Sequence, residues 1–80
     1  MVNNKRPTLG RLIGERLLKL RDARGWTMQE VADRLGLVQN SLSHLESREA
    51  VPNAYTLYRL SQTFGVSIDS WFEGYQGEDS

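Results

Sequence analysis

Residues 27–46, TMQEVADRLGLVQNSLSHLE, constrain the fold more than any other stretch. Thr27 and Glu30 stand three apart ahead of an apolar stripe. At that spacing a threonine hydroxyl and a glutamate carboxylate each take a backbone amide at a helix start. Val31, Ala32 and Leu35 fall at i, i+1 and i+4, and Leu42 and Leu45 repeat the stripe further on. Both halves therefore read as short amphipathic helices. Residues 35–37 leave about three positions for the turn between them, with Gly36 free to take positive φ just past the first helix. Two helices joined so tightly cross at a steep angle and share one core.

The flanking sequence supplies the rest of that core. Ile13, Leu17 and Leu20 line one face of a helix over residues 9–23, with Leu12 and Leu18 off that face and partly exposed. Gly25 stops this helix and Trp26 packs beneath the turn. The paired helices cover about 28–35 and 39–47. Pro52 breaks the next loop, and a fourth helix over 54–64 turns Leu57, Leu60, Ser61 and Phe64 inward. After Gly65, Ser67 can cap a last short helix with Asp69 in its first turn, where the helix dipole favours negative charge. No strand-like alternation and no repeat interrupts this pattern. The expectation is a single all-α domain of five helices over residues 9–74, between a polar arm at 1–8 and an acidic tail at 75–80.

Eighty residues suffice for one domain with a small core. The absence of cysteine excludes disulfides and thiolate metal sites, and a single histidine excludes a histidine-rich one. No cofactor is implied. No signal-peptide or spanning apolar run is visible, so the default address is cytoplasmic. Ser43, His44 and Glu46 are neighbours in sequence, but adjacent helical residues point about 100° apart and cannot align as nucleophile, base and orienter. Catalysis is the weakest class of function for this chain. The formal net charge of zero hides a polarity. Lys5, Arg6, Arg11, Arg16, Lys19, Arg21 and Arg24 face only Glu15 and Asp22 in the first 24 residues, whereas the last 32 hold one arginine against five carboxylates. A basic front and an acidic back suit a protein that meets a polyanion on one side.

In order and without a gap, the chain offers Leu20-Arg21 and Gly25, Thr27-Met28-Gln29-Glu30-Val31-Ala32, Leu35-Gly36-Leu37 and Leu45-Glu46. Pro52, Thr56-Leu57, Phe64-Gly65-Val66-Ser67-Ile68 and Trp71-Phe72 follow. This succession resembles the Cro and phage-repressor class of helix-turn-helix proteins, the XRE family, over residues 10–74. The resemblance implies a compact five-helix bundle of the lambda-repressor-like type, with the helix-turn-helix at helices two and three. It also implies sequence-specific binding of double-stranded DNA as a prokaryotic or phage transcriptional regulator, in the sense of a repressor.

Counting around helix three from Leu42 and Leu45 leaves Gln39, Asn40, Ser43, His44 and Ser47 on the opposite side or its flanks. By match with the family, Gln39, Asn40, Ser41 and His44 occupy base-reading positions. Glutamine and asparagine suit adenine bidentately, and serine or histidine bonds more permissively. Thr27, Met28, Ser43, Ser47, Arg48, Asn53 and Arg11 are the candidates for the DNA backbone, with Lys5 and Arg6 from the arm. Arg21 and Glu46 match a pair that phage repressors join between helices one and three.

Four departures from the family pattern predict modest affinity, reached through a dimer or an additional domain. Met28 stands where a glutamine is common, Arg48 replaces a glycine, Val38 removes the hydroxyl cap of helix three, and Glu49 sits near expected phosphate. Tyr55, Trp71 and Phe72 are candidates for a homodimer interface on a pseudo-palindromic operator, although Trp71 and Phe72 also fill the family's two leucine positions and so suit the core. The competing reading is a protein-interaction or antitoxin-type module that kept the fold and binds DNA weakly.

Overall fold

Side-chain caps set the starts of α1, α2 and α4. The computed structural model describes residues 8–47 and 51–75. Helix α1 spans Leu9–Arg24, and the Thr8 hydroxyl accepts the Arg11 amide at its start. Helix α2, Met28–Leu35, opens on a complete capping box: Thr27 Oγ1 accepts the Glu30 amide at 3.1 Å, and the Thr27 amide donates to Glu30 Oε1 at 2.7 Å. Helix α3 spans Gln39–Glu46, and α4 spans Ala54–Phe64 with Asn53 Oδ1 accepting the Thr56 amide. Val38, at the N-cap of α3, has no side-chain hydrogen bond to give, so α3 begins uncapped. The turn between α2 and α3 closes at Gly36, whose φ of 72° lies in the left-handed region that side chains with a Cβ disfavour. There the Gly36 and Leu37 amides donate to Asp33 and Ala32 carbonyls at the end of α2.

The expected fifth helix is a 3-10 turn, Ile68–Phe72, so the described chain has four α-helices and not five. The reason is local. Ser67 caps Ser70, the Ser70 and Glu73 amides reach back three residues, and Gly74 at φ 85° then turns the chain away. Five residues of this tighter helix suffice to deliver Trp71 inward. No strand occurs among the described residues.

One core joins all these elements. Ile13 and Leu17 from α1, Val31, Ala32 and Leu35 from α2, Leu42 and Leu45 from α3, and Leu57, Leu60 and Phe64 from α4 are buried together with Trp71. Leu20, Trp26, Met28, Leu37, Val66 and Phe72 pack around its margin. Trp71 is fully enclosed, and its indole N–H donates to Ser61 Oγ at 2.9 Å. That bond satisfies two buried polar groups at once. Trp71 therefore closes the core and has no surface to offer a partner. Leu12 and Leu18 are half-buried at the edge of the α1 face.

Candidate nucleic-acid interface

Helix α3 is amphipathic in a sharp sense. Leu42, Leu45 and Glu46 are buried, whereas Gln39, Asn40, Ser41, Ser43, His44 and Ser47 are exposed. The first two leucines drive the helix onto the core. Glu46 is the helix's one carboxylate, and α1 takes it up. Arg21 Nε donates to Glu46 Oε2 at 2.6 Å and Arg21 Nη2 donates to Oε1 at 3.1 Å, a bidentate fork. The third guanidinium nitrogen, Nη1, donates to the Trp26 carbonyl at 3.0 Å. One arginine thus ties α1 to the end of α3 and to the loop that leads into α2. The hydrogen bond to Glu46 raises the Arg21 pKa against the lowering effect of burial. On the arginine side, this stabilisation is complete below the unfolded arginine pKa and is lost only as pH rises through the still higher folded value. The surface that α3 turns outward is then polar and carries no carboxylate.

The other candidate residues divide by location. Thr27 is exposed, but its amide is occupied by Glu30, so an anion at the start of α2 would meet that carboxylate. Met28 is half-buried against the core. Its thioether supports the base of α2. Ser43 and Ser47 are exposed, and Ser47 Oγ donates to the His44 carbonyl at 2.9 Å. Asn53 caps α4 through its oxygen, so its side-chain amide takes no part in that cap. Arg11 is exposed and lies 3.5 Å from Glu15. Arg48 and Glu49 fall outside the described residues, as do Lys5 and Arg6. Tyr55, which stands beside the α2–α3 turn at Gly36 and Leu37, is 64% exposed, and Phe72 is half-buried. Tyr58 and Ile68 are also exposed, at 48% and 42%, and of these two Ile68 was not singled out by the sequence.

The positive charge is distributed differently from its order along the chain. Arg24 Nη2 donates to the Phe64 carbonyl at 2.6 Å, and the guanidinium carbon stands 5.1 Å from the Phe64 ring and 5.6 Å from Trp26. Arg34 stacks on Trp26 at 4.1 Å, and Arg59 Nη2 donates to the Arg34 carbonyl at 2.9 Å. These arginines close the carboxyl ends of α4 and α2, where cations are favoured by the dipole. Together with Arg21 they act within the fold. A lone arginine near the end of a predicted helix, with an aromatic nearby, is the sequence signal for this role.

Among the described residues no cluster of potential ligands could hold a metal ion, and no helix is long and apolar enough to cross a membrane. The chain matches a family model described as a helix-turn-helix domain over residues 14–80. It is 42% identical over 57 residues to the uncharacterized HTH-type transcriptional regulator y4dJ of Sinorhizobium fredii, covering 71% of this chain and 74% of that one. It is 38% identical over 63 residues to the SPbeta prophage-derived uncharacterized HTH-type transcriptional regulator YonR of Bacillus subtilis. That match takes in 79% of this chain but only 58% of the relative's length. A solved structure of a hypothetical transcription factor from Neisseria superposes with a TM-score of 0.78 over 95% of this chain and 87% of that one, at 17% identity, and so shares the fold. The buried face of α3, the glycine turn before it and these matches together make the assignment: the chain belongs to the helix-turn-helix domain family.

Proposed function

We propose that this chain is a DNA-binding transcriptional regulator, not an enzyme, that acts in the cytoplasm as a repressor by laying α3 in the major groove of double-stranded DNA. The observation that carries this reading is the outer face of α3. Its side chains are hydrogen-bonding, and the helix's one carboxylate is drawn inward by Arg21. The relatives named as HTH-type transcriptional regulators support the same reading. Gln39, Asn40, Ser41 and His44 read base edges. Thr27, Ser43, Ser47, Arg48, Asn53 and Arg11 position the domain on phosphate. Met28 contributes by packing.

A twofold homodimer on a pseudo-palindromic site completes the proposal, with the two α3 helices about 34 Å apart on one face of the duplex. The exposed Tyr55, Tyr58 and Ile68 with Phe72 form the joining surface, and Trp71 stays in the core. Selection of bound sites from random duplexes tests the whole reading. An enriched sequence with dyad symmetry is the expected result. On a panel of single-base variants of that site, Gln39→Ala or Asn40→Ala should relax preference at one or two base pairs per half-site, by about 1–3 kcal/mol each. Unchanged preference and affinity across the panel would reject α3 as the reader. Binding that is absent at low salt would favour the interaction-module reading instead.

A further inference from the structure

A groove of about 180 Å³ opens where α4 begins beside the turn between α2 and α3, lined by Leu35, Gly36, Leu37, Tyr55, Thr56 and Arg59. Its polar groups reach the surface: Tyr55 is exposed and Arg59 is half-buried. Arg59 is the one charged residue of the lining, and no carboxylate opposes it there. Arg59 Nη1 donates to the Tyr55 hydroxyl at 3.1 Å, and the guanidinium carbon stands 5.9 Å from the tyrosine ring. Nη2 of the same arginine is anchored on the Arg34 carbonyl at 2.9 Å. One arginine thus clamps the phenol to the end of α2. The phenol oxygen accepts from a cation, which strengthens its own O–H as a donor. Among the described residues no group accepts that proton. Tyr58 is the contrast. Its hydroxyl accepts from the neutral Gln62 amide on α4 itself, and it does not line the groove.

We propose that the Tyr55 hydroxyl binds one phosphate of the DNA backbone, with Arg59 as the residue that positions it. The proposal rests on the reading of α3 as the helix in the major groove. That groove is about 12 Å wide and a helix with its side chains is about 10–12 Å across, so the phosphates that wall the groove lie against whatever flanks the helix. Gly36 and Leu37 lead directly into α3, and Tyr55 stands beside them. A tyrosine O–H there bonds a phosphodiester oxygen and fixes register without reading a base. Both terminal nitrogens of Arg59 are engaged within the fold, so the contact adds a directed donor and no new ion pair. The hydroxyl alone makes it, which leaves the ring of Tyr55 for the joining surface. The groove is smaller than sites that enclose drug-sized ligands, and it seats a single group.

The test replaces the phosphates of the selected duplex one at a time by neutral methylphosphonates and measures the affinity of the full chain and its variants. For wild type, one phosphate per half-site beside the start of α3 should matter by about tenfold. Tyr55→Phe should bind the unmodified duplex about tenfold more weakly, with preferred sequence, salt slope and melting temperature unchanged. It should no longer respond to that one phosphate, while responding to the others as wild type does. Arg59→Gln should lose the same response, and Tyr58→Phe should keep it. Inorganic phosphate or phenyl phosphate, added at constant ionic strength, should leave the duplex bound. A Tyr55→Phe variant that binds and scans like wild type overturns the proposal and leaves α3 as the reader untouched. A phosphate ester that displaces the duplex from wild type but not from Tyr55→Phe also overturns it, because the groove would then serve a free phosphate. An intact response in Arg59→Gln denies that residue its positioning role. Wild type that binds no duplex at low salt would remove the reading of α3 itself, and this proposal with it.

Discussion

At the residue scale, Arg21 has the largest responsibility in the chain. It satisfies both oxygens of Glu46 and the Trp26 carbonyl, and the two paired side chains are only 16% and 7% exposed. Removing one partner leaves the other charge buried and unpaired, so Arg21→Ala should cost about 3–5 kcal/mol in chemical denaturation and weaken DNA binding in parallel. Adding Glu46→Ala to Arg21→Ala should recover part of that loss, because the stranded carboxylate is gone, and the double-mutant cycle measures the coupling. Strict additivity would show two independent surface charges. The two residues were legible as a pair through the match with the phage-repressor pattern. The third bond, to Trp26, was not, because no sequence pattern tells where a loop carbonyl will lie.

Between residue and molecule stand the helices, and their ends carry the argument. Gly36→Ala meets no atom within 4 Å, so its whole effect is the left-handed backbone, and it should destabilise by about 1–2 kcal/mol without a packing defect. Urea denaturation with unchanged m-value would show this. Val38 is the opposite case. A hydroxyl there would take an orphan amide of α3, so Val38→Thr should stabilise by about 1 kcal/mol and raise protection from hydrogen exchange in the first turn of α3. Equal stability would mean that water already serves those amides. Helices α1, α2 and α4 were legible to within a residue because their caps and apolar spacing agree, and α3 was legible from its apolar spacing and the glycine turn before it. The last element was misread as an α-helix because Ser67 and Asp69 suit the start of either helix type, and only the turn at Gly74 separates them.

For the whole molecule, charge is the property that sequence order conveys least well. Counting along the chain places a basic surface over the first 24 residues, yet Arg21 and Arg24 there, and Arg59 later, hold carbonyls and a carboxylate within the fold, and Arg34 stacks on Trp26. A helix distributes consecutive residues around its axis, so a run in sequence need not make a patch in space. The salt dependence of DNA binding should therefore be shallow for a chain with ten basic residues. Arg11→Ala should reduce the slope of log K against log salt by about 0.9, one phosphate contact, with the preferred sequence unchanged. A changed preference with the slope intact would place Arg11 among the readers.

The arginine ties have a consequence for inheritance. Arg24 joins the ends of α1 and α4, Arg59 joins α4 to α2, and Arg21 joins α1 to α3. The side chains of Gln39, Asn40, Ser41 and Ser43 take part in none of these ties and in no hydrogen bond among the described residues. If α3 reads the bases as proposed, stability and target choice are written in separate codons. A descendant of this chain would then exchange one target for another by changing a few outward letters of α3, with the scaffold beneath unaltered.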